Sequence, residues 1–447
     1  MSAESVKPWP KLTSRDEFRF LADLVLARSA GDHTVVILHD RHSGATRFAN
    51  NQVIQNVDAR RGTLAVTVAF AGRHGTATTT DFSAGAIQGT LARAEGLALV
   101  SPEDPEYVPP PEPHAFSERE TARAETVAAG PLRRLEYANE AIGQCRMENL
   151  MAAGIVQSNC SAVGIVAGNG LFGYELRADA KFSLTVQAGD ATGWSAAAHR
   201  SVDHLKIQER TLSAITKAKQ GRDPGELPPG RYPVILEPAA VAGLWTWLLA
   251  SLDAKSYEKG TSPVAQRLER RIVDERLTLQ NLPAHADLLG TGFTSEGLPS
   301  ESSVWIDQGV LKQLAYDRYT AKARGVKAIP TLDAPALSVE GEGFRTVQDL
   351  IKRTERAILV TNFWYVRSVN PSDLTLTGMT RDGTFLVEKG AIVSAVKNFR
   401  FHESPLQAFR RIDAWTAPME AVTSESGKML VPAMVLPQFN FSSVTRF

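Results

Sequence analysis

Few stretches of this chain hold residue types at spacings that could do chemistry. GWSAA, residues 193–197, is half of a nucleophile elbow, because alanine replaces the second glycine of G-x-S-x-G. A hydrolase built on Ser195 needs a base. His402 could serve, but no spacing links the two, and a strand end with Ser195 near a helix start explains the stretch as well. GNGLFG, residues 168–173, is a literal G-x-G-x-x-G after a strand. A dinucleotide site needs a helix next, whose N-terminal amides hold the pyrophosphate. Residues 174–187 alternate like a strand instead, so a hairpin turn at Asn169 and Gly170 accounts for the glycines. The closest histidine pairs are His39/His42 and His199/His204. A strand puts residues three apart on opposite faces, and a helix puts residues five apart about 140° apart, so neither pair makes an easy metal clasp. No H-E-x-x-H and no C-x-x-C occurs.

The elements that must position these residues fall into three segments. Ser14 and Glu17 form a capping box ahead of Phe18, Leu21 and Val25 at helical spacing. HTVVILH and TLAVTVAFA read as strands, with turns at Asn50-Asn51 and residues 60–62, and a helix follows over 83–97. SPEDPEYVPPPEP, residues 101–113, reads as a linker or surface loop, since its prolines remove amide donors and stiffen the backbone. Helices over 118–129 and near 137–153, strands GIVQSN, AVGIVAG and KFSLTVQ, and a helix over 199–219 fill the middle segment. The last segment opens with strand YPVILEP and one helix and is then mostly β, with turns at Gln308-Gly309, Asp382-Gly383 and Lys389-Gly390.

At 447 residues the chain can bury more than one core. Its 49 Lys plus Arg balance 49 Asp plus Glu, so composition gives no electrostatic footprint for nucleic acid or an anionic membrane. Two cysteines, Cys145 and Cys160, make no disulfide framework and suit a reducing cytosol. Residues 1–10 show no basic segment before an apolar run, so no signal peptide is expected. The uncharged run over 238–252 is shorter than the roughly 20 apolar residues a membrane span needs.

That run is the helix of the third segment. Leu244, Trp245, Trp247, Leu248, Leu249 and Leu252 leave Thr246 and Ser251 as its polar residues. A helix apolar all round is buried, in its own domain or against a partner, and its own core is the favoured reading.

Several stretches in order resemble the TldD/PmbA family, also called modulators of DNA gyrase. They are LFGYELRADAKFSLTVQAGDATGWS, YEKGTS at 257–262, LTLQNLP, GTGFTSEGLPS at 290–300, IDQGVLKQLAYDRYTAKARG, GMTRDGTFLVEKGAI and VPAMVLPQFNFSS. The similarity covers most of the chain and is weakest over the first hundred residues. Catalytic, TldD-type members resemble metalloproteases with His-Glu-x-x-x-His on the central helix and a late cysteine as a further zinc ligand. Counted back from Lys259, Gly260, Thr261 and Ser262, those positions hold Trp245, Thr246 and Ala250, and no cysteine follows Cys160. Indole, hydroxyl and methyl groups supply neither imidazole ligands nor a carboxylate base.

The resemblance therefore implies the metal-free TldE/PmbA branch: a non-catalytic subunit that pairs with a TldD-type zinc subunit to degrade or process unfolded or leader peptides. The expectations are an α+β protein with N-terminal and middle α/β segments with antiparallel sheets (1–113 and 114–230) and a mostly β C-terminal domain (231–447) around a buried helix. No metal, cofactor or catalytic residue is expected in this chain. Zinc is expected in the partner, and the setting is cytoplasmic, with no direct nucleic acid and no membrane. Lys259, Gly260, Thr261, Glu296 and Gly297 are the candidate chamber or peptide-contact residues. A homodimeric peptide-binding or scaffold protein and an independent hydrolase using Ser195 remain as alternatives.

Overall fold

Period-two alternation over long stretches of the first half builds one antiparallel sheet, and the computed structural model describes residues 11–423 and 427–445. The expectation about a signal peptide lies outside the described residues. The first unit runs α1 (Arg15–Leu26), β1 (His33–Ala49), β2 (Gln52–Phe70), β3 (Arg73–Thr79) and α2 (Ala84–Val100). It continues through α3 (Ala124–Val127), α4 (Pro131–Met147), β4 (Met151–Ala167), β5 (Phe172–Ala188), β6 (Ala191–His199) and α5 (Ile207–Gln220). The sheet order is β3-β2-β1-β4-β5-β6. Because β1 pairs with β4, segments 1–113 and 114–230 contribute to a single sheet.

The helices lie on one face. Phe18, Leu21 and Val25 of α1 join Val36, Leu38 and Leu91 in one core, while Tyr137 and Ile142 of α4 join Phe182, Leu184 and Ile215 in a second. Polar groups sit between them. Arg134, fully buried, donates to Asp58 at 2.7 Å and Ser158 at 2.8 Å, and Arg60 pairs with the buried Asp40 at 2.7 Å. A buried cation survives there because it is paired and hydrogen-bonded.

Several local readings change. Over 118–129 only α3 is helical: Arg119 donates to the carbonyls of Thr291 and Ser300, and Thr121 bonds backbone groups of β5, so tertiary partners replace helical ones. The helix expected over 199–219 begins at Ile207, because Lys206 takes a left-handed φ of 51° that breaks the run. Residues 60–62 lie inside β2, and Asp382-Gly383 is an irregularity inside a strand over Thr375–Glu388 rather than a turn. The turns at Asn50-Asn51, 169–170, 308–309 and 389–390 are present.

The C-terminal domain begins with β7 (Gly230–Leu236), α6 (Pro238–Ala250), α7 (Ala254–Glu258), β8 (Leu277–Asn281), β9 (Ser303–Asp307) and β10 (Val310–Leu311). Then come α8 (Arg318–Arg324), β11 (Pro335–Val339), α9 (Val347–Arg353), β12 (Arg356–Asn370), β13 (Thr375–Glu388), β14 (Ala391–Ala395) and β15 (Phe399–Glu403). It ends with α10 (Pro405–Ala408), β16 (Ala414–Trp415), β17 (Met419–Thr423), β18 (Gly427–Val431) and β19 (Met434–Val444). Strands β12-β7-β19-β15-β13 close on themselves through the β12–β13 pairing, forming a small barrel without free edges along the ring. Phe363, Phe399, Phe401, Phe439 and Phe441 stack together, with Phe399 and Phe441 ring centroids 4.7 Å apart. A second sheet, β10-β9-β8-β11-β18-β17, leaves β17 as an edge. The protein is thus mixed α+β with antiparallel sheets and a C-terminal β-barrel domain. Among the described residues, no helix is long and apolar enough to cross a membrane.

Candidate functional site

Helix α6 begins with Pro238 at its first turn, where a missing amide is harmless, and packs against β12 and β17. Trp245 is fully buried, 5.5 Å from the Phe409 ring, and its indole Nε1 has no hydrogen-bond partner. The Thr246 hydroxyl donates back to the Ala242 carbonyl at 2.8 Å, and Ala250 is exposed. These three groups do not fit a zinc ion: none offers an imidazole or a carboxylate, and the largest fills the core. Among the described residues no three His, Cys, Asp or Glu side chains gather as a metal-holding group. Cys145 and Cys160 are buried in the first unit, where burial pushes each thiol up to about 11.

The other candidate residues separate into two places. Lys259, Gly260 and Thr261 form the exposed turn after α7, with Gly260 at φ 71° and the Thr261 hydroxyl on the Ser256 carbonyl at 3.2 Å. Glu296 is exposed, while Gly297, at φ 76°, is buried against Leu171, Ile165 and Pro111. Both places reach α8: Lys255 of α7 lies over the Tyr319 ring at 5.7 Å, and Glu296 attracts Arg318, whose guanidinium burial pushes down. The Pro-rich stretch 101–113 is a strap over this corner. Its Tyr107 stacks on His33 and His74, and Glu106 pairs with Lys255 at 2.8 Å.

A cleft of about 600 Å³ lies elsewhere, at the start of α6. Trp194, Ser195 and Ala196 of β6 form one wall, and Pro418 with residues 419–422 of β17 forms the other. Each strand is the last in its own sheet, so two edges face one opening. Glu420 joins them. Its Oε1 accepts the Ala198 amide at 2.7 Å and lies 3.6 Å from Lys428, and its Oε2 accepts from Arg210 at 2.8 Å. Lys217 and Glu237, 2.6 Å apart, pair at the mouth of α6. Burial pushes the Lys428 ammonium and the His199 imidazole below their ordinary values, with Lys428 adding to the effect on His199.

The structure brings His199 and His204 together, rings 4.5 Å apart, because residues 199–206 are not one regular helix. His199 Nδ1 accepts the Ser201 amide and its Nε2 faces Asp287 at 3.7 Å. Ser195 is buried in β6, and among the described residues no hydrogen bond joins it to His402 in β15. Sequence reading missed Glu420, Lys428, Arg210 and Glu237, whose partners lie far along the chain and leave no local pattern.

Residues 229–443 match the PmbA/TldA metallopeptidase C-terminal domain, and residues 35–98 match domain 1 of the same family. The chain belongs to the TldD/PmbA family. A metalloprotease TldD homolog of Buchnera aphidicola (from Acyrthosiphon pisum) is 22% identical over 231 residues, 47% of this chain and 46% of that protein. A second Buchnera homolog, from Schizaphis graminum, is 23% identical over 228 residues, 46% of this chain and 45% of that one. The match therefore spans under half the length of these curated relatives. Among solved structures, TldE from Thermococcus kodakarensis superposes with a TM-score of 0.86 at 19% identity, covering 96% of this chain and 99% of that one. A candidate modulator of DNA gyrase from Thermotoga maritima gives 0.85 at 18% identity, covering 95% and 99%. The TldD/PmbA fold thus extends over nearly the whole chain, including the middle segment that neither family match covers.

Proposed function

We propose that this chain is the non-catalytic, TldE-like subunit of a two-chain zinc peptidase, and that a TldD-type partner carries the zinc. The observation behind the reading is Trp245, fully buried at the position where the family's resemblance calls for the first zinc-binding histidine. A side chain of that size takes up the room that metal, water and substrate need. The chain's own part is to help enclose unfolded or leader peptides. The cleft between β6 and β17 supports this, because an extended peptide can add to a strand edge by main-chain hydrogen bonds with little sequence demand. Two buried cysteines fit a reducing, cytoplasmic setting.

The test is reconstitution with a TldD-type protein from the same source. The expected result is co-elution as a stable complex, with peptide cleavage by the pair and none by this chain alone. Cleavage by this chain alone, or a TldD-type protein that neither binds it nor gains activity from it, overturns the reading.

A further inference from the structure

The six-stranded sheet carries helices on one face, and its other face is unlayered across the middle. Directly opposed residues on neighbouring strands share a face, so the register sorts the side chains. Arg41 stands opposite Arg61 on one side and Ser161 on the other, and Ser161 stands opposite Arg177. The next rows of the same face are Ser43–Asn159–Asp179, Ala45–Gln157–Lys181 and Arg47–Ile155–Ser183. Arg41, Arg47 and Arg61 are exposed and Lys181 is half-buried, so no layer covers them. Towards one end of the sheet, Val163 and Ile165 pack on Phe293 and close the field off.

Charge on this face is one-sided in a chain that is balanced overall. Arg41, Arg47, Arg61, Arg177 and Lys181 face two carboxylates, Glu175 and Asp179. Glu175 is taken up by Arg177 at 2.8 Å. Asp179 accepts from Asn159 at 3.0 Å, and the Asn159 oxygen in turn accepts from Arg41 at 2.9 Å. Among the described residues Arg41, Arg47, Arg61 and Lys181 form no ion pair with a carboxylate. An antiparallel sheet can leave one face to water, but solvated surfaces ordinarily intersperse both signs. Unpaired cations grouped on a low-dielectric wall attract anions.

The spacing suits an extended chain. Arg41 and Arg47 are six residues apart on one strand, about 20 Å, and Arg177 and Lys181 four apart, about 13 Å. An extended peptide presents same-side residues every ~6.8 Å, two strand rises, so acidic residues can meet several of these cations. The intervening Ser43, Ala45, Ser161 and Ser183 are small and leave the surface low. Single-stranded nucleic-acid sites add aromatic stacking platforms. Here the outer rows contribute Trp194, at the β6 edge, whose Nε1 is bonded to Ser183 at 3.0 Å.

We propose that the uncovered face of this sheet is a docking surface for an acidic, extended peptide segment, whose carboxylates meet Arg41, Arg47, Arg61 and Lys181. The proposal deepens the peptide-handling reading above and rests on it.

The test uses the full chain alone and a labelled peptide of ~12 residues, long enough to span about 40 Å, alternating Glu with Ser. Its control has Gln for every Glu, and binding is read by fluorescence anisotropy. The Glu peptide is expected to bind about tenfold tighter than the Gln peptide, a preference that added salt erodes. Arg41→Gln with Lys181→Gln is expected to remove that preference, while Arg271→Gln with Lys322→Gln in the C-terminal domain leaves it intact. The exposed pair Arg47→Gln with Arg61→Gln is the second variant should the first fail to fold. Equal binding of the two peptides, or folded variants that keep the full preference, overturns the proposal. So does a single-stranded oligonucleotide of equal charge that binds more tightly than the Glu peptide, since the face is then a nucleic-acid surface. No partner subunit enters this measurement. Failed reconstitution beside an intact acidic preference removes the pairing alone, and successful reconstitution without the preference removes the docking face alone.

Discussion

Glu420 on the edge of one sheet accepts the Ala198 amide on the edge of another at 2.7 Å. A side-chain carboxylate thus stands where a neighbouring strand's carbonyl would be. The same group holds Arg210 at 2.8 Å and lies 3.6 Å from Lys428, whose side chain is 1% exposed. It ties the first unit to the C-terminal domain through one partly buried charge network.

Truncating that carboxylate leaves the buried Lys428 without its paired anion, with only the more distant attraction of Asp287 remaining. Glu420→Ala is expected to cost roughly 3 kcal/mol, the lower end of the range for a broken buried ion pair, because Glu420 keeps some solvent contact. Glu420→Gln retains an acceptor for the Ala198 amide and is expected to cost less. Adding Lys428→Met to Glu420→Gln is expected to recover stability. Urea denaturation of the three variants measures this, and wild-type stability in Glu420→Ala would show the network to be idle.

Trp245 tests the filled position on α6. Trp245→Ala is expected to lose about 3–5 kcal/mol through the cavity it leaves against Phe409. Trp245→Phe keeps most of the volume and removes a buried N–H without a partner, so it is expected to lose markedly less. Equal losses in the two variants would mean that volume is not what the site requires.

Asp382 supplies a pH dependence. It is 6% exposed, one of its oxygens has no partner, and burial raises its carboxyl above the ordinary 3.8, against weaker lowering by Thr192 and Arg381. A raised folded-state value means that the ionised form is disfavoured on folding. Stability from this group is therefore present at low pH and lost as pH rises from 3.8 through its folded value. Asp382→Asn, at a left-handed φ of 57° that Asn tolerates, is expected to stabilise at pH 7. The gain is expected to vanish as pH falls toward 3.8. Chemical denaturation across pH measures it, and a gain that does not change with pH would remove the electrostatic cause.

Gly297 tests the seam between strap, sheet and C-terminal domain. A Cβ there meets Leu171 Cδ2 at 2.9 Å, which a flexible side chain end can relieve, but φ of 76° remains strained for alanine. Gly297→Ala is expected to cost about 1–2 kcal/mol by that backbone term. An unchanged melting temperature would show that the turn adapts.

What the sequence determined by itself is what short-range chemistry writes into adjacent residues. The Ser14–Glu17 capping box, the Pro238 start of α6, its apolar surround and the Asn50-Asn51 turn all appear in the fold as the residues suggest. That Trp245, Thr246 and Ala250 offer neither an imidazole nor a carboxylate was equally visible, because side-chain type alone decides it. The candidates at Lys259, Gly260, Thr261, Glu296 and Gly297 came from motif position, and none of them lines the cleft between β6 and β17.

Tertiary structure alone decided the rest. The pairing of β1 with β4 across the Pro-rich strap, the closure of the barrel and the meeting of β6 with β17 join residues tens to hundreds of positions apart. No local period encodes which edge meets which. The stretch over 118–129 has helix-forming composition and is mostly unwound, because Arg119 and Thr121 find better partners in distant strands and loops. His199 and His204 looked separate under a helical assumption, and they meet because His199 ends β6 while His204 lies in a separate short 3-10 turn over 202–205. The mostly cationic field on the open sheet face has the same origin: its cations come from three strands, β1, β2 and β5, and only register places them side by side.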